Sequence, residues 1–593
     1  MRQFVAYGAW VVGVATITAA CGGHNSGFGD DGGVDGSSDS TQGQDGPIFG
    51  FDGGGNDAPQ GCTECSADLH NVTTCGPNPQ VLQTCTGNQG CGPNGCIPAC
   101  DAAAANKSSI GCDYYAIPVD GWSTTYNSGG AAGGCFAAFV NNVWASDLNV
   151  TLTWKGNTIN GNNYAYVPQG SGSSITYTKV PSTGIPPNTM AIVFLNDYKA
   201  GQGSLPCHCP ASVQAAVSTE DMINPHLTSK EHAIEIKTDV PAVVYDIYPY
   251  GGATSYISSA TLLLPTTAWD TNYIATTMGS TIYGYPSGVD FIAQQDGTQV
   301  TVLPNTDITG ASGVASATKN NPVTYSINKG ETIHIMQLPD SSGNDLTGSV
   351  VQSNYPIGVW GEHFCMTQNS PPPWRVVGMV DGTTLTYDPA VSGAPTTLKA
   401  GQLVEFAGPG AFHVKSQDDK HPFYLAAHRP GGDCDAAHQQ IPPIKAEGYD
   451  YVAVGNEATY YGVGGPETVN VVPPAQFLLQ YTFFTDPSYG YTEIALTRQK
   501  ASDNTFHDVS LDCLGKVTGW QAVGTGGLYQ YAHVDLATSG AGVGKCNNGL
   551  HTINSDVPFG ITVWGYDSAS SYAYPAGASV KPINTVVVPP TPH

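Results

Sequence analysis

One element recurs four times after residue 140, and it confines most of the chain to an array of similar β units. It runs from His232 to Ile247 around Pro241, from Ser349 to Trp360 around Pro356, from Phe412 to Ala426 around Pro422, and from Leu550 to Trp564 around Pro558. Each copy is an alternating run, then Ser or Thr with Asp or Asn, then Pro, then an apolar run. That order predicts a hairpin: strand, polar turn, strand. Proline sits where the second strand begins, the place where a missing N–H costs least.

Two further elements repeat around it. Asp296-Gly297 and Asp381-Gly382 are turn dipeptides that enter strands. Lys329-Gly330 and Ala400-Gly401 do the same between those strands and the next proline element. A third block pairs a proline with a tyrosine downstream: Pro265 with Tyr273, Pro443 with Tyr451, and Pro474 with Tyr481. From about 140 to 588 the chain therefore reads as four related all-β units, each of roughly 100 residues and large enough for its own sandwich. A β-propeller-like closed array is the alternative. The second proline element lacks its following Pro/Tyr block, whereas the third is followed by two. Moving about 433–463 to just after Ser370 restores the order, and brings Cys434 close in sequence to Cys365. That makes Cys365–Cys434 a disulfide candidate, alongside Cys513 and Cys546.

Composition agrees with strands rather than helices. The chain has 593 residues, with 73 Gly, 42 Pro and only 11% charged residues; Gly and β-branched residues are poor helix formers. Lys plus Arg number 20 against 47 Asp plus Glu, a formal charge of −27. No basic surface is available to displace counterions from phosphate, so nucleic acid is excluded as a partner.

The N-terminus reads as an export and tethering device. Arg2 precedes an apolar run from Phe4 to Ala20, which ends in Thr18-Ala19-Ala20-Cys21-Gly22. This resembles a bacterial lipoprotein signal peptide, with Cys21 as the lipidated residue; Thr18 stands where the motif usually has Leu. Residues 1–20 are the expected leader, with an ordinary signal peptide and secretion as the alternative. Gly22 in place of Asp points to the outer membrane or cell surface. Residues 21–61 are rich in Gly and Asp, lack Lys and Arg, and read as a flexible tether. Eight cysteines between Cys62 and Cys112 then suggest a small disulfide-stapled module over 62–100, because exported thiols oxidise. Its connectivity stays open. Fifteen cysteines remain once Cys21 is set aside, so one is odd, with Cys207 or Cys209 the candidate.

Several blocks also resemble a known family. Cys112-Asp-Tyr-Tyr-Ala116, Ala242 to Gly252, Leu262 to Tyr273, Pro356-Ile-Gly-Val-Trp-Gly361 and Val469 to Pro474 are similar to bacterial lipoproteins carrying the IgGFc-binding protein N-terminal domain. The likeness spans about 100–588, so 101–588 is taken as one repeated β domain. In that family the block beginning at Cys434 normally follows the Gly-Val-Trp-Gly hairpin closely, which agrees with the transposition. The family name implies binding of antibody constant regions, a ligand not carried to this chain.

Motifs for catalysis are missing: no Gly-x-Ser-x-Gly, His-Glu-x-x-His, P-loop or Rossmann fingerprint follows a strand. His363 near Cys365, and His428 near Cys434 and His438, are read as surface histidines rather than metal ligands. The expectation is a lipid-anchored, non-enzymatic surface protein that binds or adheres to a protein or glycan partner, touches the membrane through its anchor alone, and needs no cofactor. A structural role in the envelope or matrix, and hydrolysis of an extracellular polymer, are the alternatives.

Overall fold

The computed structural model describes residues 62–590 apart from short segments, the longest being 121–133, 199–206, 278–286, 364–373 and 430–463. Of the first 61 residues it describes only the backbone of Arg2–Phe4, which pairs with Trp360, Gly361 and Glu362. The expected tether and Cys21, and all of the leader beyond that strand, lie outside the described residues. So do Cys365, Cys434 and the proposed transposed block.

The molecule is almost entirely β, with one helix, Ala99–Asn106, among the described residues besides short 3-10 turns. Four sandwich-like units follow one another, over about 110–263, 270–363, 374–470 and 478–575. The proline element is not a hairpin. In units 1, 2 and 4 it is a single long strand, Ile234–Tyr248, Val350–His363 and Leu550–Asp567, bent at the proline. Its two halves pair with different partners. In unit 2 residues 350–353 pair with Thr298–Leu303, whereas 357–363 pair with Ser287–Ala293. Units 1 and 4 repeat this switch. In unit 3 the same path is broken into His413–Ser416 and Phe423–Arg429, which again pair with separate strands. The strand thus bridges the two layers of each sandwich. Asn354 and Tyr355 are exposed at the bend, while Val351, Ile357 and Val359 on either side enter one core with Val289, Val300 and Ile333.

A tyrosine fixes the bend in units 1, 2 and 4. The Tyr273 hydroxyl accepts from the Asp270 N–H at 2.7 Å and donates to the Ile357 carbonyl at 2.7 Å. Tyr481 does the same between the Leu478 N–H and the Phe559 carbonyl. Tyr114 in unit 1 receives the Gly111 N–H and donates to Ala242 at 2.6 Å. In all three the carbonyl belongs to the residue after the bend proline, so the ring fills the corner and satisfies the backbone there.

The Pro/Tyr blocks at Pro265 and Pro474 are joints between units, while the one at Pro443 lies outside the described residues. Ser259–Leu263 closes unit 1, Thr266–Ala268 forms a 3-10 turn, and Asp270–Ile274 opens unit 2; Glu467–Asn470, Pro474–Gln476 and Leu478–Phe484 repeat the joint between units 3 and 4. The array also returns on itself. Unit 1 presents Phe139, Phe194, Tyr245 and Leu262 to a core shared with Phe484, Tyr572 and Tyr574 of unit 4. The Tyr245 hydroxyl lies 2.8 and 2.5 Å from the carbonyls of Thr482 and Ala576, and the Gly251 N–H donates to Asp486 at 2.8 Å. This explains why Phe136–Asn142 and Met190–Asn196 are buried along their whole length: each has a core on both faces.

Ahead of unit 1, three disulfides staple a small module: Cys62–Cys75, Cys65–Cys91 and Cys85–Cys96. A fourth, Cys100–Cys112, ties the helix to the first strand of unit 1. That helix spans residues 100 and 101, across the expected boundary. Among the described residues no helix is long and apolar enough to cross a membrane.

A candidate binding cleft between the third and fourth units

Units 3 and 4 meet along a cleft of about 220 Å³. One wall comes from unit 3, where Trp374 and Phe412 stand edge to face at 4.8 Å, followed by His413 and Val414. The opposite wall comes from unit 4: Ala495, Thr497, Tyr529, Tyr531 and His533. Val471, Pro474 and Phe477 of the joint form its end. Strand alternation explains the second wall. Along Tyr529–Thr538 residues 529, 531 and 533 share one face, so two tyrosines and a histidine project together.

The two walls are tied at the rim by Asp388. Its carboxylate accepts from the Thr525 N–H at 2.8 Å, the Thr525 hydroxyl at 2.9 Å and the Gly526 N–H at 2.7 Å. These N–H groups hold Asp388 below the usual carboxylate range. The close approach needs glycine at 524, where φ is +65° and a Cβ would stand 2.5 Å from the Asp388 Cγ. Asp388 pairs in register with His413, whose ring lies 4.9 Å from that of Tyr529.

The cleft is apolar with a few polar tips. Tyr529 is 4% exposed, and its hydroxyl and His413 Nε2 are buried without a hydrogen-bond partner among the described residues. Burial, then Lys415, pushes the His413 pKa below its ordinary value. Burial also lowers that of His533. Both imidazoles are therefore neutral at neutral pH. Such a pocket accepts one large apolar or aromatic side chain.

The sequence-derived sites fall elsewhere. Cys513 and Cys546 are bonded to each other, with Cα atoms 4.9 Å apart, and staple an edge of unit 4. Cys209 is bonded to Cys135, and Cys207 is a buried free thiol. Burial pushes that thiol up to about 11, so it is unreactive at neutral pH. His363 is buried in the bridging strand of unit 2. Phe412 to Val414, Val471 and Pro474 stood out in the sequence as repeat positions but not as a site, because no local motif joins positions 413 and 529. The repeat itself was the available signal: consecutive units must meet, and Trp374, Phe412, Tyr529 and Tyr531 are concentrated near one seam.

The IgGFc binding protein family matches residues 259–371 and 360–565, together just over half of the chain. The chain belongs to this family. Its two matched segments cover unit 2 with its joint, then units 3 and 4 as far as the last bridging strand. The match begins later than the likeness read from the sequence, since it omits most of unit 1. Every residue lining the cleft lies inside the second segment. No curated protein and no solved structure matches the chain.

Proposed function

We propose that the protein is a lipid-anchored, non-enzymatic surface protein that captures a protein partner by seating a large side chain in the cleft between units 3 and 4. The cleft carries this reading: aromatic walls around buried, unpartnered polar tips, within the segment matched by a family named for binding a protein. A cleft of about 220 Å³ holds one anchor rather than a whole partner, and a single buried aromatic anchor commonly dominates a protein interface. The stapled module and tether then hold the array away from the outer membrane, with Cys21 as the lipid attachment point.

Panning a displayed library of 12-residue peptides against the full chain tests the cleft. Selected peptides share an aromatic or large apolar residue, and the variant Ala411→Trp, which fills the cleft from a partly exposed position, abolishes their binding. Peptides that bind wild type and Ala411→Trp equally contradict the reading. Anchoring is checked separately: Cys21→Ala abolishes incorporation of labelled fatty acid, and unchanged labelling excludes Cys21.

A further inference from the structure

Three neighbouring strands of unit 2 bring ionisable side chains together away from the cleft. Asp290 lies on Ser287–Ala293, His334 on Glu331–Met336 and Glu362 on Val350–His363, with Ser287–Ala293 between the other two. Val289 and Phe291 point into the unit 2 core, so alternation puts Asp290 on the opposite face. There Ile292 and Trp360 pack against Tyr115 and Trp269 at the seam with unit 1. Asp290, His334 and Glu362 are each only 1% exposed.

We propose that these three residues form a binding site for a divalent transition-metal ion, with zinc the first candidate. His334 Nδ1 lies 3.3 Å from Asp290 Oδ1 and 3.9 Å from Glu362 Oε2. One donor atom from each residue falls within 4.8 Å of the others. Two ligands about 2.1 Å from one tetrahedral ion stand roughly 3.4 Å apart, so small adjustments close the set. Asp290 Oδ2 is buried and has no hydrogen-bond partner among the described residues. Gly288 leaves room for the imidazole: a Cβ there would stand 2.3 Å from His334 Cε1. The imidazole favours zinc over calcium, which takes oxygen ligands. The corresponding cross-strand place in unit 3 holds Arg375 opposite Glu405, a cation and an anion, and so presents no such donor set. Bound there, the ion would tie three strands together beside the seam with unit 1. The second cluster of this kind, Asp512, Cys513 and His551, is not available as a metal site, because Cys513 is in a disulfide.

Titration of the chelator-treated full chain with zinc chloride tests the site, by calorimetry and by thermal unfolding. One tight site per chain is expected in wild type, together with a raised melting temperature. Asp290→Asn and His334→Gln weaken that site by more than the roughly 10–100-fold that loss of a supporting partner costs, and zinc no longer raises their melting temperature. Zinc K-edge absorption on the wild-type complex gives a second readout that needs no variant: one imidazole with oxygen ligands is expected. No tight site in wild type, equal affinity in both variants, or a first shell of several imidazoles or of sulfur overturns the proposal.

Discussion

At the residue scale, the corner tyrosines and the cleft histidines carry the sharpest consequences. Tyr481 gives up two hydrogen bonds if its hydroxyl is removed, and leaves the Leu478 N–H and the Phe559 carbonyl unpaired inside the protein. An unsatisfied buried group costs about 1–3 kcal/mol. Tyr481→Phe therefore destabilises unit 4 by about 2 kcal/mol or more in denaturant unfolding, and Tyr273→Phe does the same to unit 2. The histidines set a pH dependence. His413 and His533 have folded pKa values below the 6.5 of the unfolded chain. Below pH 6.5 the unfolded state binds more protons than the folded one, so stability is full above that pH and falls as pH drops toward the folded values. Peptide affinity for the cleft falls over the same range, because charged imidazoles then line an apolar pocket. Affinity that stays flat from pH 7.5 to 5 would show that the anchor does not meet these rings. Proline and tyrosine positions could be read from the sequence because they recur. His413 and Tyr529 could not, since their significance lies in a contact across 116 residues, from 413 to 529.

At the element scale, the sequence marks the recurring proline element but not its shape, a bent strand rather than a hairpin. Polar residues before a proline look the same whether the chain turns back or bends onward. Alternation continues on both sides in either case, and only the partner strands tell the two apart. Asp239, Asn354 and Asp556 are polar because the bend is exposed, not because the chain reverses there. A bend that serves two layers has strict requirements just beyond the proline. Gly358 lies beneath Trp360, where a Cβ would stand 2.3 Å from the Trp360 ring. Gly358→Val must displace that ring or the strand, and overpacking of this kind costs about 1–3 kcal/mol. The expected result is a lowered melting temperature relative to wild type. The Cys513–Cys546 staple spans 33 residues. Its removal by Cys513→Ser with Cys546→Ser should cost about 2–4 kcal/mol, read as a shift in the unfolding midpoint.

At the scale of the whole molecule, repetition predicted four units but not how they pack together. The order of elements gives the units, while the closing contact between units 1 and 4 joins positions such as Tyr245 and Ala576, which share no local pattern. The near-continuous apolar runs Phe136–Val140 and Met190–Leu195 were the available hint, because a strand buried on both faces needs a second layer beyond its own sandwich. The seams also differ in chemistry. Units 1 and 4 share an apolar core. Units 2 and 3 are joined by Arg375, which is 2% exposed and lies 2.5 Å from Asp345 and 2.8 Å from Glu405. Close packing accompanies it: a Cβ on Gly348 of unit 2 would stand 2.2 Å from the Gly401 carbonyl of unit 3. Breaking a buried ion pair from one side costs about 3–5 kcal/mol, so Arg375→Ala should loosen this seam. Limited proteolysis would then cut between units 2 and 3 before wild type is cut.

Units 3 and 4 leave an open cleft at their seam, and the proposed function rests on it. Hydrogen exchange of the full chain, with and without a saturating selected peptide, tests it most directly. The account predicts added protection over 411–414, 471–477 and 529–533, the lining of the cleft, with the other seams unchanged. Protection confined to units 1 and 2, with none at these segments, would contradict it.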